Sequence, residues 1–466
     1  MNVYCLHFDM KGLVPKAEFM YSLVPRLAAM GVSHLLVEFE DKFPFESFPA
    51  MVHPEAWTKD EFRKFQTICN DNKIEIIPLL QCAAHLDYFL KHAEYRQYRE
   101  NGNVYQWCVS DPKTFDVWEK MYREIHEVFP DSRYFHIGAD EVANGNCPKC
   151  GREAFRAFTT RVRMCCEKLV GDGITPLLWD DMLRKRDIPE LDAILRKSIL
   201  CVWQYQEINE EFIRNPIKKG WQVWGASCLE YGSNYHGLVN PFRQEDNLND
   251  WASLSRKYSL QGNIGTLWGR LESLSPIRHA LPAGLWNVAY WCEVMKKGAP
   301  GDFNSFLKKF GREFFEIENF NKIAEAMEFR AVQALAKLPD TVTKNKDIYD
   351  IVHVLAEYDD FFDYVNDCFE AGRTFYPAYI TGNVPPSMSN LYMERSKNLR
   401  KRSLELRERM ASVLGPYFTP LVLDEILESR FAGIIAEFDF WDAIIISGMK
   451  KWQKRYCDAD PEEVIR

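Results

Sequence analysis

Eight short apolar runs, most of them separated by longer amphipathic stretches, constrain the fold of this chain more than any other feature of its sequence. Near-continuous apolar runs are typical of strands buried on both faces, as in parallel sheets. Eight β–α repeats in the first 300 residues predict a (β/α)8 TIM barrel. The predicted strands are residues 3–9, 33–39, 74–80, 134–139, 175–180, 199–205, 221–227 and 262–268.

The pattern changes after about residue 300, where long helical repeats separated by prolines begin. We therefore expect a catalytic barrel over residues 1–300 and a C-terminal α-helical region over residues 301–466. The helical region should pack on the barrel or on a second subunit, and the second arrangement would make a homodimer. The predicted helices of this region are residues 303–337, 347–370, 389–413 and 420–454.

Charge and composition narrow the classes of partner. The net charge of −9 gives no general attraction to nucleic acid or to an anionic membrane. No run of 18 apolar residues is present, and the first residues, MNVYCLHFDMKG, lack the basic and apolar segments of a secretory signal. The 13 scattered cysteines suit reduced thiols better than a disulfide framework. We expect a cytoplasmic protein that binds neither nucleic acid nor membrane.

Active sites of (β/α)8 barrels lie at the carboxyl ends of the strands. Carboxylates and four tryptophans follow the predicted strand ends here. Carboxylates suit acid–base chemistry and flat aromatic faces suit sugar rings, although a tryptophan at a strand end also serves as a simple plug of the barrel mouth. The polar and aromatic residues at these ends are His7, Asp9, Glu38, Glu40, Asp41, Gln81, His85, Asp140, Glu141, Trp179, Asp180, Asp181, Trp203, Gln204, Tyr205, Trp224, Ser227, Trp268 and Arg270.

The sharpest motif is FHIGADEV over residues 135–142, where an apolar strand runs directly into Asp140 and Glu141. The two small residues before them, Gly138 and Ala139, let a ligand approach the backbone. Neighbouring carboxylates repel, which raises the pKa of one of them and suits it to general acid catalysis. An Asp-Glu pair also begins ordinary loops and caps helices, so the strand context carries the interpretation.

The segment HIGADEV resembles the catalytic motif of glycoside hydrolase family 20, the β-N-acetylhexosaminidases, and the chain is similar to the hexosaminidase D type within that family. The resemblance covers roughly residues 3–300, whereas the helical tail matches no motif of the family. The similar segments are residues 7–12, 35–45, 77–92, 175–183 and 281–284.

The resemblance implies an exo-acting β-N-acetylhexosaminidase that releases terminal β-linked GlcNAc or GalNAc with retention and without a cofactor. In that family the substrate's own acetamide acts as nucleophile. Glu141 then corresponds to the general acid/base and Asp140 to the carboxylate that orients the acetamide. Two alternatives stay open: a barrel glycosidase with a direct carboxylate nucleophile, and a non-catalytic sugar-binding barrel.

Supporting roles follow from the same resemblance. His85 corresponds to the histidine that contacts the acid/base, although the preceding Cys82-Ala83-Ala84 departs from the related Thr-x-Gly. Tyr205 and Tyr231 compete as donor to the acetamide oxygen, and we favour Tyr205. The tryptophans that match the acetamide pocket are Trp179, Trp203 and Trp268.

The residues expected to contact the remaining sugar hydroxyls differ in this chain from those of the wider family. Arg270 stands where the wider family has a glutamate, and it could bond O4 or O6. The family's strand-one arginine is missing, since the matching position lies near Tyr4. Asp9, Glu40 and Asp41 are the candidates to replace it.

One further motif is the CxxC of Cys147 and Cys150, which is half of a zinc site. No second CxxC appears in the sequence, and the nearest other pair is Cys165-Cys166. We therefore favour an ordinary loop without a metal, and a structural zinc site and a redox pair stay open as alternatives.

Overall fold

The computed structural model describes residues 2–11, 14–143, 147–148, 150–230, 236–240, 242–272, 275–278, 281–323, 325, 338–339 and 342–456. The chain divides into two compact units. The first comprises Met1–Asn234 and Val239–Phe310, and the second comprises Tyr235–Leu238 and Gly311–Arg466.

Eight parallel strands of the first unit close into a barrel in the order β1-β10-β9-β8-β7-β6-β3-β2. The predicted fold class, a (β/α)8 barrel followed by a helical region, is confirmed. The barrel strands are β1 (Val3–Asp9), β2 (His34–Glu38), β3 (Glu75–Leu79), β6 (Tyr134–His136), β7 (Thr175–Trp179), β8 (Ile199–Trp203), β9 (Gln222–Glu230) and β10 (Gly262–Leu267).

Helices follow the strands and cover the outside of the sheet with their apolar faces. Thr58 begins α2 with a capping box, because its side chain accepts from the Glu61 N–H while Glu61 accepts from the Thr58 N–H. The helices of this unit are α1 (Ala17–Met30), α2 (Lys59–Asp71), α3 (Asp87–Leu90), α4 (Pro112–Val128), α5 (Ala154–Gly171), α6 (Pro189–Leu195), α7 (Glu211–Lys218), α8 (Glu245–Lys257), α9 (Leu285–Lys297) and α10 (Phe303–Phe310).

The barrel interior is filled by side chains from alternate strand positions, among them Leu36, Ile77, Leu177 and Ile264. Trp224 belongs to this interior rather than to the strand ends where the sequence analysis had it. Its ring packs against His34 and Tyr134, the first residues of β2 and β6. The prediction was wrong because β9 continues to Glu230, three residues beyond its predicted end.

Two short strands that the sequence analysis did not predict, β4 (Arg99–Glu100) and β5 (Asn103–Trp107), form an antiparallel hairpin. The hairpin lies in the chain between the third and fourth barrel strands. It carries Tyr105 and Gln106 toward the loop that follows β6.

The second unit is helical. Within the described residues after 342, its helices are α11 (Lys346–Thr374), α12 (Tyr376–Thr381), α13 (Pro386–Leu414) and α14 (Pro420–Tyr456). The prediction of one continuous helix from residue 303 was wrong, because α10 ends at Phe310, a π-helical turn follows over Gly311–Phe315, and Glu316 has a φ of 63°. The last part of the predicted range, residues 326–337, lies outside the described residues. In the described part of the chain, no helix has the length and apolarity needed to cross a membrane.

The second unit also includes the short segment Tyr235–Leu238. The buried Asp359 of α11 accepts hydrogen bonds from the N–H groups of Gly237 and Leu238, at 2.5 Å and 3.0 Å. His236 lies 3.0 Å from Asp363 of the same helix. These bonds attach the segment to α11.

Candidate active site

Asp140 and Glu141 follow β6 in a turn whose backbone admits few residue types. Gly138, Ala139 and Glu141 have positive φ angles of 65°, 73° and 48°. A side chain at Gly138 is also excluded by space, because an added Cβ would lie 1.8 Å from Gln81 Oε1. Non-glycine residues held in the left-handed region are typical of functional sites.

Hydrogen bonds from Gln81 and to His136 hold this turn in place. The Gln81 side-chain amide donates from Nε2 to Asp140 Oδ1 at 3.2 Å. The Gly138 N–H donates to Nδ1 of His136 at 2.9 Å. Burial lowers the pKa of His136 to about 3, so its imidazole stays neutral and can accept this bond.

His85 lies between the two carboxylates. Its Nε2 is 3.2 Å from Asp140 Oδ2, 3.4 Å from Glu141 Oε2 and 2.9 Å from the Tyr105 hydroxyl. Burial opposes the charged imidazole, but the charge of Asp140 and the hydrogen bonds to both carboxylates raise the pKa of His85 well above its ordinary value. These contacts favour the protonated, cationic imidazole of His85.

The charge on His85 sets the state of Asp140. Burial alone would raise the pKa of Asp140, but the charge of His85 and its hydrogen bond hold that pKa below the ordinary aspartate value. The expected rise through repulsion with Glu141 therefore does not occur at Asp140. Asp140 is ionised and largely buried, with a side chain 10% exposed, whereas the side chain of Glu141 is 56% exposed.

A further carboxylate, Asp181, is hydrogen-bonded to both Glu141 and Trp203. Its Oδ2 accepts from the Glu141 N–H at 2.9 Å, and its Oδ1 accepts from Trp203 Nε1 at 3.3 Å. Burial and the charge of Asp140 raise the pKa of Asp181 to about 6. Asp181 was predicted as a strand-end residue without a role.

Three tryptophans, Trp179, Trp203 and Trp268, come together beside the carboxylates although they follow different strands. Trp268 Nε1 donates to the Tyr205 hydroxyl at 2.9 Å. Burial raises the pKa of Tyr205, so the phenol keeps its proton at neutral pH. The buried Nε1 of Trp179 has no hydrogen-bond partner among the described residues and lines the same space. Tyr231, the competing tyrosine, lies outside the described residues.

These side chains enclose a cavity of about 370 Å³ at the carboxyl ends of the strands, a volume suited to a small ligand. Seven of the eleven residues predicted for the site line it. The lining residues are Lys11, Glu38, Gln81, His85, Asp140, Glu141, Trp179, Arg184, Trp203, Gln204, Tyr205, Gln206, Glu207, Trp268 and Leu271.

Two further residues, Lys11 and Glu38, line the cavity. Glu38 was predicted only as a strand-end residue without a role, and Lys11 was not selected. Lys11 Nζ lies 3.0 Å from Glu38 Oε1 and 4.7 Å from the ring centre of Trp268. Burial opposes ionisation of Glu38, but the Lys11 charge and the hydrogen bond with His7 lower its pKa. The sequence signal that could have identified this cation is a lysine two residues after the first strand, in the sequence DMK.

The other four predicted residues lie outside the set that lines the cavity. Asp9 Oδ2 accepts from the backbone N–H groups of Gly269 and Arg270, so it braces the loop after β10. Asp41 pairs with Lys42 at 2.7 Å.

The remaining two are buried next to these groups. Burial raises the pKa of Glu40 well above its ordinary value, so that the carboxyl favours its protonated form. Burial lowers the pKa of Arg270, against the opposing charges of Asp41, Glu40 and Asp9.

A (β/α)8 barrel that joins adjacent carboxylates to a tryptophan-walled cavity at its strand ends is typical of glycoside hydrolases. The sequence profile of the glycosyl hydrolase family 20 catalytic domain matches residues 20–297. The chain belongs to glycosyl hydrolase family 20.

Individual relatives agree with this family. The chain is 26% identical over 322 residues to hexosaminidase D of Homo sapiens, covering 63% of this chain and 65% of that protein. It is 25% identical over 361 residues to hexosaminidase D of Bos taurus, covering 70% of this chain and 99% of that protein. The crystal structure of a β-N-acetylhexosaminidase from Bacteroides fragilis shares the fold, with a TM-score of 0.51 at 13% identity over 68% of this chain and 71% of that one.

Proposed function

We propose that this protein is an exo-acting β-N-acetylhexosaminidase that hydrolyses terminal β-linked GlcNAc or GalNAc by substrate-assisted catalysis with retention. The observation that carries the proposal is the placement of His85 between a buried Asp140 and an accessible Glu141, beside a tryptophan-walled cavity. Membership of family 20 and the two hexosaminidase D relatives support the same substrate class.

In the first step, the acetamide oxygen attacks the anomeric carbon while the bond to the leaving oxygen breaks. Glu141 gives its proton to that oxygen. Asp140 accepts the acetamide N–H, and its negative charge offsets the positive charge of the oxazolinium ion that forms. The low pKa of Asp140, which His85 maintains, keeps this charge available.

In the second step, water attacks the anomeric carbon and the oxazolinium ring opens. Glu141 now takes the proton of that water and so returns to its starting state. Each step inverts the anomeric carbon, and the two inversions give net retention. The same carboxyl serves as acid and then as base because it stays close to the oxygen that leaves and to the one that enters.

Binding of the sugar follows from the cavity walls. Trp179, Trp203 and Trp268 supply flat apolar faces for the acetamide methyl group and the sugar ring. Tyr205, which keeps its proton, is the proposed donor to the acetamide oxygen. Lys11 provides a cation from the loop after β1 for the sugar hydroxyls.

Parallel rate assays on aryl β-glycosides of GlcNAc, GalNAc and glucose test the proposal. We expect turnover of one or both N-acetylated sugars and extremely slow turnover of the glucoside. The blank is the double variant Asp140→Asn/Glu141→Gln, which exposes any contaminating activity. Preferred hydrolysis of the glucoside would support a direct carboxylate nucleophile, and no turnover of any glycoside would support a sugar-binding barrel.

We further propose that the protein works in the cytoplasm. The support is the state of its thiols: the twelve described cysteines form no disulfide with one another, and eleven of them are buried. Reducing compartments keep such thiols free.

A further inference from the structure

Four side chains outside the cavity form a compact buried cluster: Glu100, Cys108, Cys147 and Cys150. One potential ligand atom of each lies within 4.8 Å of those of the other three. Cys108 Sγ is 3.5 Å from Cys147 Sγ and 3.7 Å from Cys150 Sγ. The cluster joins the CxxC motif to a cysteine 39 residues earlier in the chain.

These sulfur separations match a shared tetrahedral metal. Zinc–thiolate bonds of about 2.3 Å at tetrahedral angles require sulfur atoms about 3.8 Å apart. A disulfide would instead bring two sulfurs to about 2.05 Å. The Cys108 thiol therefore stands at metal-sharing distance from both cysteines of the CxxC motif.

Two neighbouring groups orient the sulfur atoms of the motif. The Cys150 N–H donates to Cys147 Sγ at 3.3 Å, and the Ser110 hydroxyl donates to Cys150 Sγ at 3.2 Å. Such outer hydrogen bonds hold ligand atoms in place around a metal site.

Glu100 completes the set as an oriented oxygen ligand. Its Oε1 accepts from the Cys147 N–H at 2.9 Å, and its Oε2 lies 3.4 Å from Cys150 Sγ. The Glu100 side chain is buried beside the three sulfur atoms.

We propose that Cys108, Cys147, Cys150 and Glu100 bind one structural zinc ion in a tetrahedral site. The thiol protons leave to solvent when the three thiolates bind. This zinc site replaces the ordinary loop that we favoured from the sequence. The spacing of the motif alone could not identify Cys108 and Glu100 as its partners, because both come from the hairpin region. Soft thiolate ligands in tetrahedral geometry favour zinc over calcium or magnesium.

The zinc would join the β4–β5 hairpin to the loop that follows Glu141. The same two segments already meet through Gln106, whose Oε1 accepts from the Ala143 N–H at 2.9 Å. Tyr105, on that hairpin, bonds His85 and the Glu141 carbonyl. The metal would therefore stabilise the hairpin and the loop that hold His85 and Glu141, without touching substrate.

Metal analysis of the full-length protein tests the proposal independently of any glycosidase activity. Elemental analysis of tag-free protein, purified with a non-chelating reductant and dialysed against metal-free buffer, should find about one zinc per chain. Cys108→Ala and Cys150→Ala should each lose that zinc. The matched control is Cys69→Ala, which removes an equally buried thiol from α2 and should keep it.

A spectroscopic measurement covers the case in which the variants do not fold. Cobalt(II) added to chelator-treated wild-type protein should give thiolate-to-cobalt charge-transfer absorption and the visible bands of a tetrahedral ion. Absence of zinc together with absence of these bands would overturn the proposal. Full retention of zinc in a Cys108→Ala/Cys150→Ala double variant, or a disulfide among the three cysteines in the metal-free native protein, would overturn it as well.

Discussion

Asp140 and Glu141 are adjacent in sequence yet have different surroundings. Asp140 is held on both oxygens, by Gln81 and His85, and is buried. Glu141 has a mostly exposed carboxyl, while its backbone N–H is fixed by Asp181. The proposed mechanism requires these two roles: Asp140 as a fixed anion, and Glu141 as an accessible group that transfers protons.

Glu141→Gln tests the proton transfer. Its kcat should fall by roughly 10²–10⁴ for substrates with poor leaving groups, because the leaving oxygen is no longer protonated. Aryl leaving groups of low pKa need less protonation and should lose less. The control is Glu207→Gln, which removes another carboxyl of the cavity wall and should change kcat little. An equal loss across a leaving-group series would contradict the role of Glu141.

His85→Gln tests the electrostatic link to Asp140. Because Asp140 has a lowered pKa, its ionised form persists as pH falls, until the pH reaches that lowered value. Loss of the His85 charge should raise the pKa of Asp140, and the acid limb of the kcat/KM–pH profile should move to higher pH. Tyr105→Phe removes a hydrogen bond from His85 but no charge, so its acid limb should stay in place. An unmoved acid limb in His85→Gln would show that another group titrates there.

The site residues nearest to a strand end were predictable from sequence. Asp140 and Glu141 directly follow an apolar run, and the tryptophans end theirs. Lys11 and Cys108 were not predictable in the same way, because each acquires its partners only when distant segments meet in the folded barrel.

At the scale of elements, the eight barrel strands could be predicted because parallel strands buried on both faces leave apolar runs in the sequence. The β4–β5 hairpin left no such run, since Arg99–Glu100 is only two residues long and Asn103–Trp107 contains Asn103 and Gln106. The end of α10 at Phe310 was not predicted, because the sequence pattern shows no corresponding break. There the helical period of the sequence continues past Phe310, although the backbone leaves the helical conformation at Glu316.

The turn after β6 gives a test at this scale. Gly138→Ala should lower activity strongly, because the new Cβ displaces Gln81 from Asp140 in addition to the cost of about 1–2 kcal/mol for a left-handed L-residue. Gly173→Ala is the matched control, since Gly173 also has a positive φ but no atom lies within 4 Å of an added Cβ. It should lower Tm modestly and leave kcat unchanged. Comparable kcat values for the two variants would exclude the proposed effect on Gln81.

At the scale of the whole molecule, barrel closure brings together side chains that the chain separates widely. Asp9 accepts from Gly269 and Arg270, which lie 260 residues or more away in sequence. A sequence read segment by segment predicts such closure as a fold class but cannot predict which strand-end side chains face the cavity. This explains why Asp9, Glu40, Asp41 and Arg270 were selected although they lie outside the cavity lining.

The thiols give a molecule-wide prediction. Titration of the protein unfolded in chelator, without reductant, should find nearly all 13 cysteines free. The reason is that the twelve described cysteines have no disulfide partner among themselves, as suits a reducing compartment. Two or more stoichiometric disulfides in the native protein would contradict the proposed cytoplasmic location.

The central claim is that the substrate acetamide, rather than a protein carboxylate, attacks the anomeric carbon. The most direct measurement compares a GlcNAc-thiazoline, a stable mimic of the oxazolinium ion, with free GlcNAc as inhibitors of the wild type and of Asp140→Asn. We predict that the thiazoline binds the wild type far more tightly than GlcNAc does, since the site complements the charged intermediate, and that Asp140→Asn loses most of this advantage. Weak thiazoline inhibition, together with a glycosyl ester found on Asp140 after treatment with a fluorosugar, would contradict the account.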